Sequence, residues 1–357
     1  MSTPPPDDAP IFIIGTGRSG TTLLRQMLNA HPRIYVTHEA FFNTYARYTP
    51  RTVSASLWLE RYFQTFSFAW MQVDPAEVRA ELPAELPRRR IAEAFRAVMR
   101  CKARQYKKTR YGEKSPLDVV NLARIFHNFP DPRVIYIMRD PRATVASMRR
   151  MPFATSSTLM NSLLCAQQFK LLRPHLGRIH TIRLEDLIAD PRTAMRRVLE
   201  FIEEPFDDAV LEHTAHSPTD DVAPFPWFES AKFKNPRSDP GSPSWQSKLN
   251  PAWIRIIERT NALGMKHFAY PVADLPREPG RMRQHLIQLA EIPGLIASGW
   301  RAWRMEKRIR AHFEGKHLYD PQRAMEDHLK TNPKAWTNYP GFEMPRVPPL
   351  VSPARDI

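Results

Sequence analysis

The chain has 357 residues, of which 42% are hydrophobic and 25% charged, and a formal net charge of +15. Such a length holds one large α/β domain, or a catalytic domain with an extension, and the composition excludes a mini-protein and a wholly disordered chain. The positive balance favours anionic partners (nucleic acid, a membrane surface or a polyphosphorylated small molecule) without choosing among them, and 35 prolines against 12 glycines point to many fixed turns.

Cys101 and Cys165 are the two cysteines, and neither lies in a CxxC or Cys/His pattern. Neither a disulfide framework nor structural zinc is expected, and the reading is of a reducing, cytoplasmic compartment. The opening MSTPPPDDAP carries acids and prolines where a secretory signal needs a basic start and an apolar run. No stretch offers the roughly 18 to 20 uninterrupted apolar residues that span a bilayer. The nearest, 292–302, is broken by Pro293, Gly294, Gly299 and Arg301.

In chain order, residues 1–9 read as a flexible lead. Residues 11–15 are a continuous apolar run ending in glycine, as in a buried parallel strand, and helical spacing resumes over 21–28. Residues 76–108 are helix-rich, with Ile91, Phe95, Val98 and Met99 on one face. A second buried strand is predicted at 133–138 (RVIYIM), followed by a turn and a helix over 142–150. A third apolar stretch, 179–184, precedes a helix over 191–202 whose Pro191 suits the first turn. The repeated strand, loop and helix predict a three-layer α/β fold with a mostly parallel sheet flanked by helices, over residues 10–272. Residues 273–357 read as a basic helical and proline-rich extension. Its Trp300 and Trp303 are expected to pack against the domain in preference to lying in a membrane plane, although peripheral membrane contact through the extension is kept as a partner class. The tail from about residue 332 is expected to be extended or disordered.

Gly15-Thr16-Gly17-Arg18-Ser19-Gly20-Thr21-Thr22 is similar to the nucleotide loop GxxxxGK[ST], with Thr21 in the lysine position. That lysine reaches the outer phosphates in nucleoside triphosphatases, so its absence argues against ordinary ATP or GTP hydrolysis. The glycines let the chain turn and expose successive N–H groups, the helix near Thr21 adds its positive end, and Arg18 adds charge. An anion belongs in this loop.

Arg18 to Thr22 resembles the 5'-phosphosulfate loop of sulfotransferases that use 3'-phosphoadenosine 5'-phosphosulfate (PAPS), where a basic residue followed by SGTT replaces the ATPase signature. The resemblance implies a P-loop-like fold, PAPS as sulfuryl donor and no metal. It assigns Arg18, Ser19, Gly20, Thr21 and Thr22 to the phosphosulfate. Residues 139–147 (RDPRATVAS) resemble the family's 3'-phosphate motif, which implies that Arg139 and Ser147 bind that phosphate. A salt-bridged Arg139-Asp140 turn is the structural alternative. Residues 183–187 (RLEDL) resemble the family's (Y)EDL element, with Arg183 where many members have tyrosine, and residues 242–249 are similar to its C-terminal cofactor loop, which implicates Ser244 and Lys248.

For catalysis, Glu39 matches the base of the protein-tyrosine branch by its spacing from Arg18 and by the preceding Ala30-His31-Pro32; His38 is the local rival. Lys114, in Gly112-Glu113-Lys114-Ser115-Pro116, resembles the family lysine that contacts the transferring group. The implied reaction is in-line transfer to a hydroxyl or amine acceptor: a carbohydrate, a lipid-linked sugar, a small alcohol or a peptide tyrosine. The alternatives are a P-loop kinase or NTPase, and a non-catalytic nucleic-acid-binding protein. The second lacks any nucleic-acid module to accompany its charge.

Overall fold

The computed structural model describes residues 8–218, 225, 245–275, 286, 288–316, 319–339 and 341–349. Five strands, β1 (Ile11–Gly15), β2 (Ile34–Thr37), β3 (Arg110–Lys114), β4 (Arg133–Met138) and β5 (His180–Arg183), form a sheet in the order β2-β3-β1-β4-β5. Every neighbouring pair is parallel. Parallel neighbours need crossover connections, and these place helices on both faces.

The two faces are written into alternate residues of β1, all five of which are buried. Phe12 and Ile14 join Phe95, Val98 and Tyr136 in one apolar cluster. Ile11 and Ile13 join Leu24, Leu28, Val198 and Leu199 in another. A strand apolar on both sides has to sit between two helical layers, which gives the expected three-layer, P-loop-like α/β fold. Connections leave β1 toward β2 on one side, while β4 continues the sheet on the other. The crevice at the carboxyl end of β1 is therefore a topological switch point, where such sheets bind ligands.

Local chemistry explains the helix starts. Asp140 accepts from Arg142 N to open the helix Pro141–Met148, and Asp190 accepts from Thr193 N to open Pro191–Phe201; both carry proline in the first turn. The helix-rich segment 76–108 divides into Pro75–Ala80 and Ile91–Gln105, with Pro83 and Pro87 in the break.

Sequence periodicity does not foresee β3, because Arg110, Glu113 and Lys114 are charged and yet the whole strand is buried. The Arg110 guanidinium is fully enclosed and bonds Glu204 at 2.9 Å. Gly112, facing Ile11 across the ladder, sets how closely β3 approaches β1: a Cβ there would lie 2.1 Å from the Ile11 carbonyl oxygen.

Two expectations for the extension are corrected. Residues 333–349 are not detached: after the helix Pro321–Leu329 comes the 3₁₀ turn Pro333–Asn338, and Trp336 stacks on Phe342 with ring centroids 5.4 Å apart. Apolar anchors spaced between the prolines hold this segment to the domain. Conversely, Trp300 and Trp303 on the helix Ile292–Phe313 do not pack inward. They are 55% and 56% exposed, and it is Phe313 at the far end that enters the core, stacked on Trp58.

Gly112→Ala is expected to cost about 1 to 3 kcal/mol through overpacking against the β1 backbone, read as a lower denaturant midpoint with unchanged m-value. An unaltered midpoint would show that the β1–β3 spacing is not set by this residue.

Candidate active site

β1 ends at Gly15, and the chain turns back through a Ser19 N to Thr16 O hydrogen bond of 3.0 Å before α1 (Thr21–Ala30) begins. Two residues of the turn take left-handed backbone: Gly20 (φ 100°) and Arg18 (φ 71°). Glycine is required at the first by conformation and by space, since a Cβ would meet Leu184 Cδ1 at 2.5 Å. Gly17 has no such need, with nothing near its would-be Cβ. Arg18 therefore carries backbone strain that a non-glycine residue tolerates only where its surroundings fix it. Its guanidinium is fixed: Nε donates to Ser147 Oγ at 3.2 Å. The start of α1 has no side-chain cap and no acid in its first turn, so its amides and positive end face the loop uncompensated. Ser19 Oγ is buried without a hydrogen-bond partner among the described residues.

The second motif meets the first here. Arg139 Nη1 donates to Arg18 O at 3.3 Å, although 121 residues separate them. The salt-bridged Arg139-Asp140 turn is not what forms, because Asp140 is engaged by Arg142 at 2.7 Å, which also pairs with Glu258. Among the described residues no carboxylate pairs with Arg18 or Arg139. Burial lowers the Arg18 pKa to about 10, with Arg139 adding to the effect and Tyr339 and Glu39 opposing it, so the group is still cationic at neutral pH. Two uncompensated guanidiniums, an orphan hydroxyl and an uncapped helix start fit a ligand with more than one phosphate-like anion.

Glu39 and Lys114 follow β2 and end β3, strands paired in the register Thr37↔Glu113. Lys114 Nζ lies 2.7 Å from Glu39 Oε1; the lysine side chain is 1% exposed and the glutamate 32%. Burial lowers the Lys114 pKa and the Glu39 carboxylate opposes it. His38 is held well below the ordinary histidine value by burial and then by Arg25, Lys114 and Lys102, so its imidazole is neutral at neutral pH. Thr21 is buried and Thr22 half-buried on the first turn of α1, whereas Lys248 is exposed. Ser244 lies outside the described residues.

Motif reading missed what the C-terminal extension brings here. Asn332 N and Nδ2 donate to Pro152 O and Arg149 O at 2.7 and 3.0 Å, tying the extension to the loop that follows the helix Pro141–Met148. The His328 ring meets Phe41 and Phe153 at 5.9 and 6.3 Å between centroids. Burial lowers its pKa, with the Glu39 carboxylate opposing. Tyr339, raised by burial, is opposed by Arg18 and Arg150. Thr16 Oγ1 donates to Gln168 Oε1 at 2.7 Å, which anchors the loop to the helix Thr158–Leu172. The sequence signal for the extension was its apolar anchors between prolines. Among the described residues no cluster of three or more His, Cys, Asp or Glu is disposed to hold a metal.

Residues 10–208 match the model of the sulfotransferase family. A protein-tyrosine sulfotransferase of Drosophila melanogaster is 28% identical over 223 residues, 57% of this chain and 40% of that protein. Protein-tyrosine sulfotransferase A of Caenorhabditis elegans is 27% identical over 218 residues, 57% of this chain and 52% of that protein. The chain thus spans about half the length of the curated relatives it matches. Among solved structures, the sulfotransferase domain from the Synechococcus PCC 7002 olefin synthase covers 77% of this chain and 100% of its own length, with a TM-score of 0.54 and 22% identity. That likeness is one of fold.

Behind Lys114, on the opposite face of β3, Glu113 is fully buried. Burial and then Asp118 push its pKa well above the ordinary carboxylate value, against peptide N–H groups of Phe42 and Phe41. Its carboxyl is neutral in the fold but ionises in the unfolded chain once pH passes 4.5. The native state then binds more protons, so stability falls as pH rises from 4.5 toward the folded pKa. Glu113→Gln lacks this linkage, and its stability relative to the parent is expected to rise from mildly acid to neutral pH in urea titrations. A difference that does not move with pH would mean that Glu113 is charged in the fold.

Proposed function

Because this chain belongs to the sulfotransferase family, we propose that it transfers a sulfuryl group from PAPS to a hydroxyl or amine acceptor. The observation that carries the reading is the Arg18–Arg139 pair, drawn from two distant motifs, in which Arg139 donates to the Arg18 carbonyl and Arg18 donates to Ser147. In this proposal the loop Arg18 to Thr22 and the start of α1 hold the 5'-phosphosulfate. Arg139 and Ser147 hold the 3'-phosphate that distinguishes PAPS from ATP, with Ser244 and Lys248 as further cofactor contacts.

The acceptor oxygen attacks sulfur in line: its bond to sulfur forms as the bond from sulfur to the bridging phosphate oxygen breaks. Glu39 takes the acceptor's proton. Its Oε1 is engaged by Lys114, which leaves Oε2 for that transfer. Arg18 and Lys114 meet the charge that builds on the departing 3'-phosphoadenosine 5'-phosphate; Lys114 is buried and Arg18 half-buried, so their charge acts through less water than at an open surface. The rings of Phe41, Phe153 and His328 bound the acceptor side near Glu39 and favour an acceptor with a flat or apolar face, which suits a phenol or one face of a sugar ring.

The test is transfer of radiolabelled sulfate from PAPS across a panel of phenols, sugars and simple alcohols, alongside calorimetry. Glu39→Gln is expected to lose about a hundredfold or more in turnover while binding 3'-phosphoadenosine 5'-phosphate as the parent does; full turnover would remove Glu39 as the base. Arg139→Ala is expected to weaken that nucleotide by about tenfold or more, roughly 1.5 to 3 kcal/mol, and to leave adenosine 5'-phosphate nearly unaffected. Tight magnesium-dependent ATP binding with weak binding of 3'-phosphoadenosine 5'-phosphate would overturn the donor assignment.

A further inference from the structure

The helix Ile292–Phe313 buries only Ile309, His312 and Phe313, all near its C-terminal end. Over its first three turns the large apolar side chains face water: Ile292 is 41% exposed, Ile296 68%, Trp300 55% and Trp303 56%. Leu286 and Leu289, 60% and 56% exposed, lead into them. Within this helix the positions 292, 296, 300 and 303 advance by threes and fours, the spacing of one face, and Leu286 and Leu289 precede the turn at 290–291. An ordinary surface helix turns such a stripe to the core. Here the face toward the domain is small and polar: Ser298 Oγ meets Thr155 Oγ1 at 3.0 Å, and Gly294 lies against Ser157.

The stripe ends among cations. The Arg304 guanidinium stands 4.5 Å from the centre of the Trp300 ring, and Lys307 Nζ stands 5.3 Å from that of Trp303. Neither Arg304 nor Lys307 pairs with a carboxylate among the described residues, unlike Arg308, which pairs with Asp327, and Arg310, which pairs with Glu306. Isoleucines and leucines that can enter acyl chains, tryptophans suited to the headgroup level and unpaired cations beside them are the parts of an interfacial helix. A protein groove would ask for a few knobs in register. Six exposed apolar side chains, four of them on one helix face, with basic residues beside them on a chain of charge +15, suit a flat, deformable, anionic surface instead. No helix among the described residues is long and apolar enough to cross a membrane, so the mode is in-plane.

We propose that the stripe of Leu286, Leu289, Ile292, Ile296, Trp300 and Trp303 docks this protein on an anionic lipid bilayer, with Arg304 and Lys307 reading the headgroup charge. The inference is independent of the sulfuryl-transfer reading and survives or fails without it.

The full chain is tested by flotation with vesicles of phosphatidylcholine alone and of phosphatidylcholine mixed with phosphatidylglycerol, at low and high salt. Binding to the anionic vesicles is expected, with a blue shift of tryptophan emission and loss on raising salt. Trp300→Ala with Trp303→Ala, and separately Arg304→Glu with Lys307→Glu, are each expected to weaken partitioning by about tenfold or more. Both double variants should keep the parent's circular dichroism and its affinity for 3'-phosphoadenosine 5'-phosphate, since none of these residues reaches that site. Equal partitioning to neutral and anionic vesicles, or unchanged partitioning of the tryptophan variant, would overturn the proposal. So would a concentration-dependent dimer that the tryptophan variant abolishes while the parent ignores vesicles.

Discussion

The structure turns on two guanidinium groups held together with no carboxylate ion-paired to either among the described residues. Arg18 and Arg139 would repel, and Arg18 is partly withdrawn from water, so the arrangement persists only because the fold enforces it. The enforcement is specific. Arg142, itself paired with Glu258, takes up Asp140, the acid nearest Arg139 in sequence, and Ser147 fixes Arg18 in a left-handed turn. Were Asp140 free to fold back onto Arg139, the loop would be relaxed and electrostatically satisfied, and it would have little reason to bind anything. A polyanion relieves the repulsion and binds only the folded state, so its affinity is also a contribution to stability.

The same logic reaches β3. Its two cations are buried because each pairs with a carboxylate, which apolar residues could not do. Arg110 ties the sheet to Glu204 at the end away from the site, and Lys114 projects from the other end to Glu39. Gly112 lies between them and brings β3 hard against β1, in a register that sets Lys114 opposite Ile13, two residues short of the phosphate loop. Sheet spacing and site geometry are thus one constraint: any residue that pushed β3 outward would move the Lys114 ammonium away from the phosphate loop.

Much of this was legible in the sequence where chemistry and pattern coincide. The run Ile11 to Gly15 is apolar on both faces, and only a central parallel strand explains that. The loop after it announces its purpose by Gly20 and Arg18, and the pairing with Arg139 follows from the second motif. β3 was illegible because periodicity scores hydrophobicity, and in RYGEK Arg110 and Lys114 are buried in pairs that form only after folding. Gly17 was given a conformational role that belongs to Arg18, since glycine content does not say which residue takes the positive φ. The tail beyond residue 332 read as loose because prolines exclude regular structure. They do not exclude packing, and Trp336 with Phe342 anchors it.

The extension is where fold and surface chemistry join. Its later part closes on the site: His328 stands with Phe41 and Phe153, and Asn332 is bonded to the loop at Arg149 and Pro152. Its earlier part carries the exposed stripe, and Ser298 bonds Thr155, two residues along from Phe153. One short loop, residues 149–155, therefore touches Tyr339, Asn332, His328 and the stripe helix, and it follows directly on the helix that supplies Ser147. A force applied at the stripe has a path of direct contacts to Phe153 and His328 and to the helix that carries Ser147. This loop is one of the places where the motif-bearing core meets the part of the chain outside the family match; Glu258, which pairs with Arg142, and Phe313, which stacks on Trp58, mark others.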